Sequence, residues 1–142
     1  KYYYQSITTG STSEGGIKVV AIVDLINLVS LRTGYSIGGF DADKIQGDSL
    51  ELGIGRAEEP FEGIGRGALN IEGLPVYRDR AGGIGTPTSD NERTKMGLET
   101  RRILAIVNGY NGREGLAEAA GMIQELLRKY ADSDGGTILY FE

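Results

Sequence analysis

Apolar residues in this chain gather into a few blocks, separated by stretches rich in glycine and short polar side chains. The first block, IKVVAIV at 17–23, is a β-branched run without polar interruption and reads as a buried strand. Asp24 then stands where an N-cap belongs. Leu25, Ile26, Leu28, Val29 and Leu31 follow at helical spacing up to Gly34, which predicts a short helix over 24–33. LPVYRD at 74–79 reads as a strand, with Pro75 tolerated near its beginning. ILAIVN at 103–108, bounded by Gly109, predicts a second buried strand. From Glu114 to Tyr130, one stripe holds Leu116, Ala119, Ala120, Ile123, Leu126, Leu127 and Tyr130, the mark of an amphipathic helix. Glu114 near its start and Arg128-Lys129 near its end suit the helix dipole. TILYF at 137–141 reads as a closing strand.

Between 35 and 85 the pattern gives only short strands and turns, and here composition changes the picture. Glycine accounts for 23 of 142 residues, about twice the usual share. GIGR occurs at 53–56 and again at 63–66, and GGIG follows at 82–85. A phosphate cradle is excluded: no third glycine completes the dinucleotide fingerprint, no Gly-Lys-Ser/Thr appears, and no helix signal follows at once. Gly65 and Gly67 read instead as turns or bulges of a curved sheet. Separate strands, a hairpin-rich middle and a late helix predict a single α+β domain, a layered mixed sheet with short helices. Residues 1–16, dominated by Ser, Thr and Gly, are expected to be poorly ordered or sensitive to where the chain is cut. Their three consecutive tyrosines read as a strand or tail packing on a neighbour rather than as a stacking platform for bases.

The formal net charge is −5, with a pI near 4.8. A broad basic footprint for nucleic acid is therefore absent, and any such contact would be local and shaped. With no cysteine and no histidine, the sequence excludes disulfides, thiol nucleophiles, imidazole bases and Ser-His-Asp triads, and it offers no zinc site. No metal and no cofactor is implied. Without a secretory signal or an apolar run near ~18 residues, the default compartment is the cytoplasm, with no membrane partner.

Residues 84–106, IGTPTSDNERTKMGLETRRILAI, hold the densest candidate chemistry. A hydroxyl-rich loop (Thr86, Thr88, Ser89) runs into the charged knot Asp90-Asn91-Glu92-Arg93-Thr94, and such loops commonly bind or position a ligand. Together with VDLINLVSL at 23–31, GYSIGGFD at 34–41 and YRD at 77–79, this segment resembles the B3/B4 domain. That is the editing and tRNA-binding domain in the β subunit of phenylalanyl-tRNA synthetase, and the free-standing bacterial type is the nearer match. The resemblance implies a tRNA-associated hydrolase of mischarged aminoacyl-tRNA. It implies a pocket among the helix start, the 34–41 turn and the 84–94 loop, with Asn27 the first position carried over. It also implies that residues 17–142 form the domain and lack part of the family's N-terminal region. Two polar groups depart from the synthetase pattern: Gly38 stands where its turn carries a histidine, and Ile106 where a strand closes with glutamate.

Ester hydrolysis needs a held water, a group that orients the carbonyl, and a grip on the terminal adenosine. Asp90 and Glu92 are the candidate catalytic carboxylates, with the substrate's own ribose hydroxyl as the other source of help for the water. Asn27, Thr86, Thr88 and Thr94 would supply neutral hydrogen bonds, and Arg93 would bind a phosphate or carboxylate. Each has a plain structural reading: Asp90 and Asp41 as turn or cap residues, Arg93 in a local ion pair with Glu92 or Asp90, Asn27 in a buried backbone hydrogen bond. The alternative function is a non-catalytic module for tRNA or an amino-acid-like ligand. A positive patch of Arg78, Arg80, Arg93, Arg101 or Arg102 would favour tRNA, and a neutral mouth a small ligand. The tyrosines leave a homodimer as an option.

Overall fold

The computed structural model describes residues 4–8, 17–110 and 112–141. It divides them into two compact units, one built from both ends of the chain (1–43 and 96–142) and one from the middle, 44–95. Most of residues 1–16, including Tyr2 and Tyr3, lies outside the described residues.

In the first unit, four antiparallel strands run in the order β2-β8-β1-β9: β1 (Tyr4–Thr8), β2 (Ser36–Asp41), β8 (Ile103–Asn108) and β9 (Ile138–Phe141). All six residues of β8 are buried. Such a strand reads as continuous apolar sequence rather than alternation, which is why ILAIVN was visible as a strand. Helices α1 (Ile17–Thr33) and α2 (Leu116–Ala131) complete the unit. Ile22, Ile26 and Val29 of α1 pack with Leu116, Ala119, Ala120, Ile123 and Leu127 of α2 and with Ile103, Ala105 and Val107 of β8.

Helix α1 corrects the expected strand over 17–23. The buried positions 22, 26 and 29 form one i, i+4, i+7 stripe that crosses Asp24, so the helix starts earlier and Asp24 is an exposed residue inside it. An apolar run this dense cannot be told from a strand by periodicity alone. Its C-terminal end is as expected: Gly34 takes φ +75° and its N–H donates to Ser30 O at 2.9 Å. In α2 the expected stripe is buried except at Leu126, which is half-buried, and Tyr130, which is exposed, while Ala131 is buried.

In the second unit, β3 (Glu51–Ile54), β6 (Pro75–Asp79) and β7 (Gly82–Gly85) form an antiparallel sheet in the order β3-β6-β7. The hairpin β4 (Glu62–Gly63) and β5 (Gly67–Ala68) stands beside it as a separate ladder. Gly65 and Gly67 turn that hairpin with φ of +67° and +71°, the left-handed region that favours glycine. Phe61, Ile71 and Val76 make the small core. Register shifts between Tyr77 and Arg78, where Ile84 is the extra residue of β7, and this bulge leads directly into the 86–94 loop. The fold is α+β, and every described strand pairing is antiparallel. Among the described residues, no helix is long and apolar enough to cross a membrane.

Candidate functional site

The 86–94 loop consumes much of its own polarity. Thr86 Oγ1 donates to Ser89 O at 3.1 Å and accepts from the N–H groups of Thr88 and Ser89, closing a tight hydroxyl-centred turn. Asn91 caps a 3₁₀ turn (Glu92–Thr94): its Oδ1 accepts from Arg93 N at 2.9 Å, and its Nδ2 donates to Gly83 O at 3.0 Å. Bridges from Gly85 to Asp90 and from Gly63 to Asn91 tie the loop to β7 and β4. Thr86 and Asn91 are buried, and their hydrogen bonds hold the loop's shape.

Arg93 is bound to Asp79, the last residue of β6, rather than to its sequence neighbours. Its Nη1 donates to Asp79 Oδ2 and its Nη2 to Oδ1, both at 2.8 Å. The expected local pair with Glu92 or Asp90 is replaced by this fork, because β6 and the loop meet across the bulge. The Asp79 side chain is fully buried, while that of Arg93 is 31% exposed. Gln46, Ala81 and Gly82 add backbone N–H donors to the same carboxylate. Burial pushes the Asp79 carboxyl up, but Arg93 and those donors outweigh it and hold the group below the ordinary carboxylate range.

Glu92 pairs with Lys95, which holds its carboxyl below the usual range as an anion. That makes it a weaker base than a free glutamate. Asp90 is half-buried and also engaged in interactions. Thr88 is exposed. Thr94 is completely buried, and its Oγ1 has no hydrogen-bond partner among the described residues. Asn27 belongs to the first unit and is exposed on α1, so the buried backbone hydrogen bond does not occur. Asp41 does cap a turn, accepting from Asp43 N at 3.0 Å, and it also accepts from the Thr100 hydroxyl at 2.7 Å.

The loop contributes to a groove inside the second unit. It encloses about 540 Å³ and is lined by Pro60, Phe61, Glu62, Ala68, residues 81–83, Asn91 and Arg93. Its wall is one aromatic ring against alanine and glycine, and its polar groups are those of Glu62, Asn91 and Arg93. Of the expected site residues, only Arg93 lines it. Asp90, Glu92, Thr86, Thr88 and Thr94 are close in sequence but are not among the lining residues. Phe61 and Asp79 are the contributors that sequence reasoning missed. Asp79 stood in the YRD stretch, but its fork to Arg93 bridges 14 positions and has no local signature.

Several of the arginines that would make a positive patch are paired. Besides Arg93 and Lys95, Arg78 makes a two-point contact with Glu59 at 2.6 and 2.7 Å. Arg80 and Arg101 are exposed, and Arg102 pairs with Asp43. Of the groove's lining residues, Glu62 and Arg93 are the charged ones, one of each sign, so the lining itself is no positive patch. Among the described residues, no group of three His, Cys, Asp or Glu side chains is placed to hold a metal ion.

Three comparisons with known proteins accompany this geometry. The family model of the B3/4 domain matches residues 7–130. No curated protein sequence matches the chain. Among solved structures, an N-terminal fragment of the phenylalanyl-tRNA synthetase β-subunit from Pyrococcus horikoshii is similar, with a TM-score of 0.78 at 18% identity. The match covers 96% of this chain and 46% of that fragment, so the chain spans just under half of it and shares its fold.

Proposed function

The chain belongs to the B3/4 domain family, and on that premise we propose that it is a tRNA-associated hydrolase acting in trans on mischarged aminoacyl-tRNA, in the cytoplasm. The observation that carries the reading is the groove of the second unit. Its size suits an amino-acid side chain with part of a ribose, and it offers an aromatic ring for packing and a held guanidinium for an acceptor oxygen. In the reaction, water adds to the ester carbonyl, the bond to the ribose oxygen breaks, and that oxygen takes up the proton. Arg93 orients the carbonyl. Asp90 is the carboxylate we put first for activating water and Glu92 the second, with the neighbouring ribose hydroxyl assisting. On the same loop, Thr86, Thr88 and Thr94 are the proposed neutral partners of the aminoacyl end.

A second reading is favoured by one observation: Glu92 and Asp79, the carboxylates flanking Arg93, are both committed to cations. On that reading the chain binds tRNA or an amino-acid-like ligand without hydrolysis. Release of labelled amino acid from a panel of mischarged tRNAs separates the two. Hydrolysis predicts release from one or two tRNAs, lowered about tenfold or more by Asp90→Asn, a loss of ~1.4 kcal/mol in transition-state stabilisation. A folded protein that releases nothing, yet melts at higher temperature with an aminoacyl-adenosine amide, is the binding module.

A further inference from the structure

Arg93 meets the groove with its charge already answered. A guanidinium has five N–H donors in a rigid fork, and Asp79 takes one from each Nη at 2.8 Å. The Nε–H and the two remaining Nη–H groups have no acceptor among the described residues, and the side chain lines the groove 31% exposed. Asp79 cannot swing away to leave a bare cation, because its carboxylate also receives Gln46 N, Ala81 N and Gly82 N.

We propose that Asp79 is a positioning residue that turns Arg93 into a donor for a neutral carbonyl, so that the groove accepts an aminoacyl ester and discriminates against the carboxylate of the free amino acid. This rests on the editing reading above and names which form of the amino acid the site prefers.

The argument is electrostatic. A unit charge ~4 Å from the guanidinium and ~7 Å from the Asp79 carboxylate keeps roughly four-tenths of the attraction a lone guanidinium would give, by the inverse-distance law. The cost of stripping water from an incoming carboxylate is not reduced in the same way. An ester carbonyl pays little of that cost and still receives the N–H donors. The α-ammonium of an aminoacyl ester, which a bare guanidinium would repel, is tolerated beside a compensated pair. After hydrolysis the new carboxylate is the disfavoured form, so the same pair promotes product release.

The test compares equilibrium binding of aminoacyl amides of 3′-amino-3′-deoxyadenosine with that of the matching free amino acids, over a panel of side chains. Wild-type protein is measured beside Asp79→Asn and Arg93→Gln. We expect Asp79→Asn to shift the amide-to-acid affinity ratio toward the acid by about tenfold or more, and Arg93→Gln to weaken the amide about tenfold without gaining the acid. An Asp79→Asn ratio within about twofold of wild type overturns the proposal while leaving the editing reading in place. Absence of amide binding by the wild-type protein overturns both. Where Asp79→Asn does not fold by circular dichroism, Arg93→Gln decides, and unchanged amide affinity in that variant overturns the proposal.

Discussion

Glu59 shows what a single ion pair does for the second unit. Arg78 donates to both of its carboxylate oxygens and to Ile54 O, while Arg56 N donates to Glu59 Oε2 at 2.8 Å. The Arg78 fork is the main reason the Glu59 carboxyl falls to about 2 from the usual 4.5. A depressed folded value gives stability that is present above the unfolded value and lost as pH falls toward the folded one. We therefore expect about 2 kcal/mol to disappear between pH ~4.5 and ~2, less than the shift alone would give because the pair is partly open to solvent. Urea unfolding across that window checks it, and Glu59→Gln should flatten the fall. Thr94 makes the opposite case. Its buried hydroxyl has no partner, so Thr94→Val should leave stability unchanged or raise it by ~1 kcal/mol in thermal melts. If Thr94 contacts the aminoacyl end, the same variant should weaken amide binding. Residue chemistry was legible in part: Arg93 stood out, but its partner did not, because only the fold brings position 79 to it.

Gly55 carries comparable weight among the elements. A Cβ there would lie 1.8 Å from Ile71 O, a backbone atom that cannot rotate away. Gly55 N–H also donates to Leu74 O at 2.7 Å, and its carbonyl accepts from Gly73 N. Gly55→Ala should therefore cost 3 kcal/mol or more, approximately, since either the turn or strand β3 must shift, and denaturant unfolding measures it. Elements with clean signals were readable before the fold was known. β6, β8, β9 and α2 carry a compact apolar run or a 3.6-residue stripe closed by glycine or charge. β1, with the polar sequence YQSIT, and the two-residue strands β4 and β5 carry neither, and pairing partners define them. α1 failed for the reverse reason, an excess of apolar residues that hides its period.

At the scale of the whole molecule, a chain of net charge −5 should not bind RNA as a basic protein does. If an aminoacyl-tRNA binds through the groove, log K should fall with log salt by a slope of about 2 or less, against the steep slopes that many phosphate contacts produce for nucleic-acid binders. A steep slope would locate the tRNA contact on exposed arginines such as Arg80 or Arg101 instead. One topological feature reaches further. β2 and β8 are neighbours, with Asp41 opposite Ile103, so the chain leaves the first sheet and returns to it at adjacent points after residues 42–102. In folding terms that central pairing is a long loop closed at its two ends. If the 44–95 segment collapses first, the loop to be closed is far shorter, which saves on the order of 1–2 kcal/mol of closure entropy at the barrier. A lesion confined to the inserted segment, such as Gly55→Ala, should then slow refolding of the outer sheet as well as speed unfolding. The insert would act as a timer for the frame that carries it.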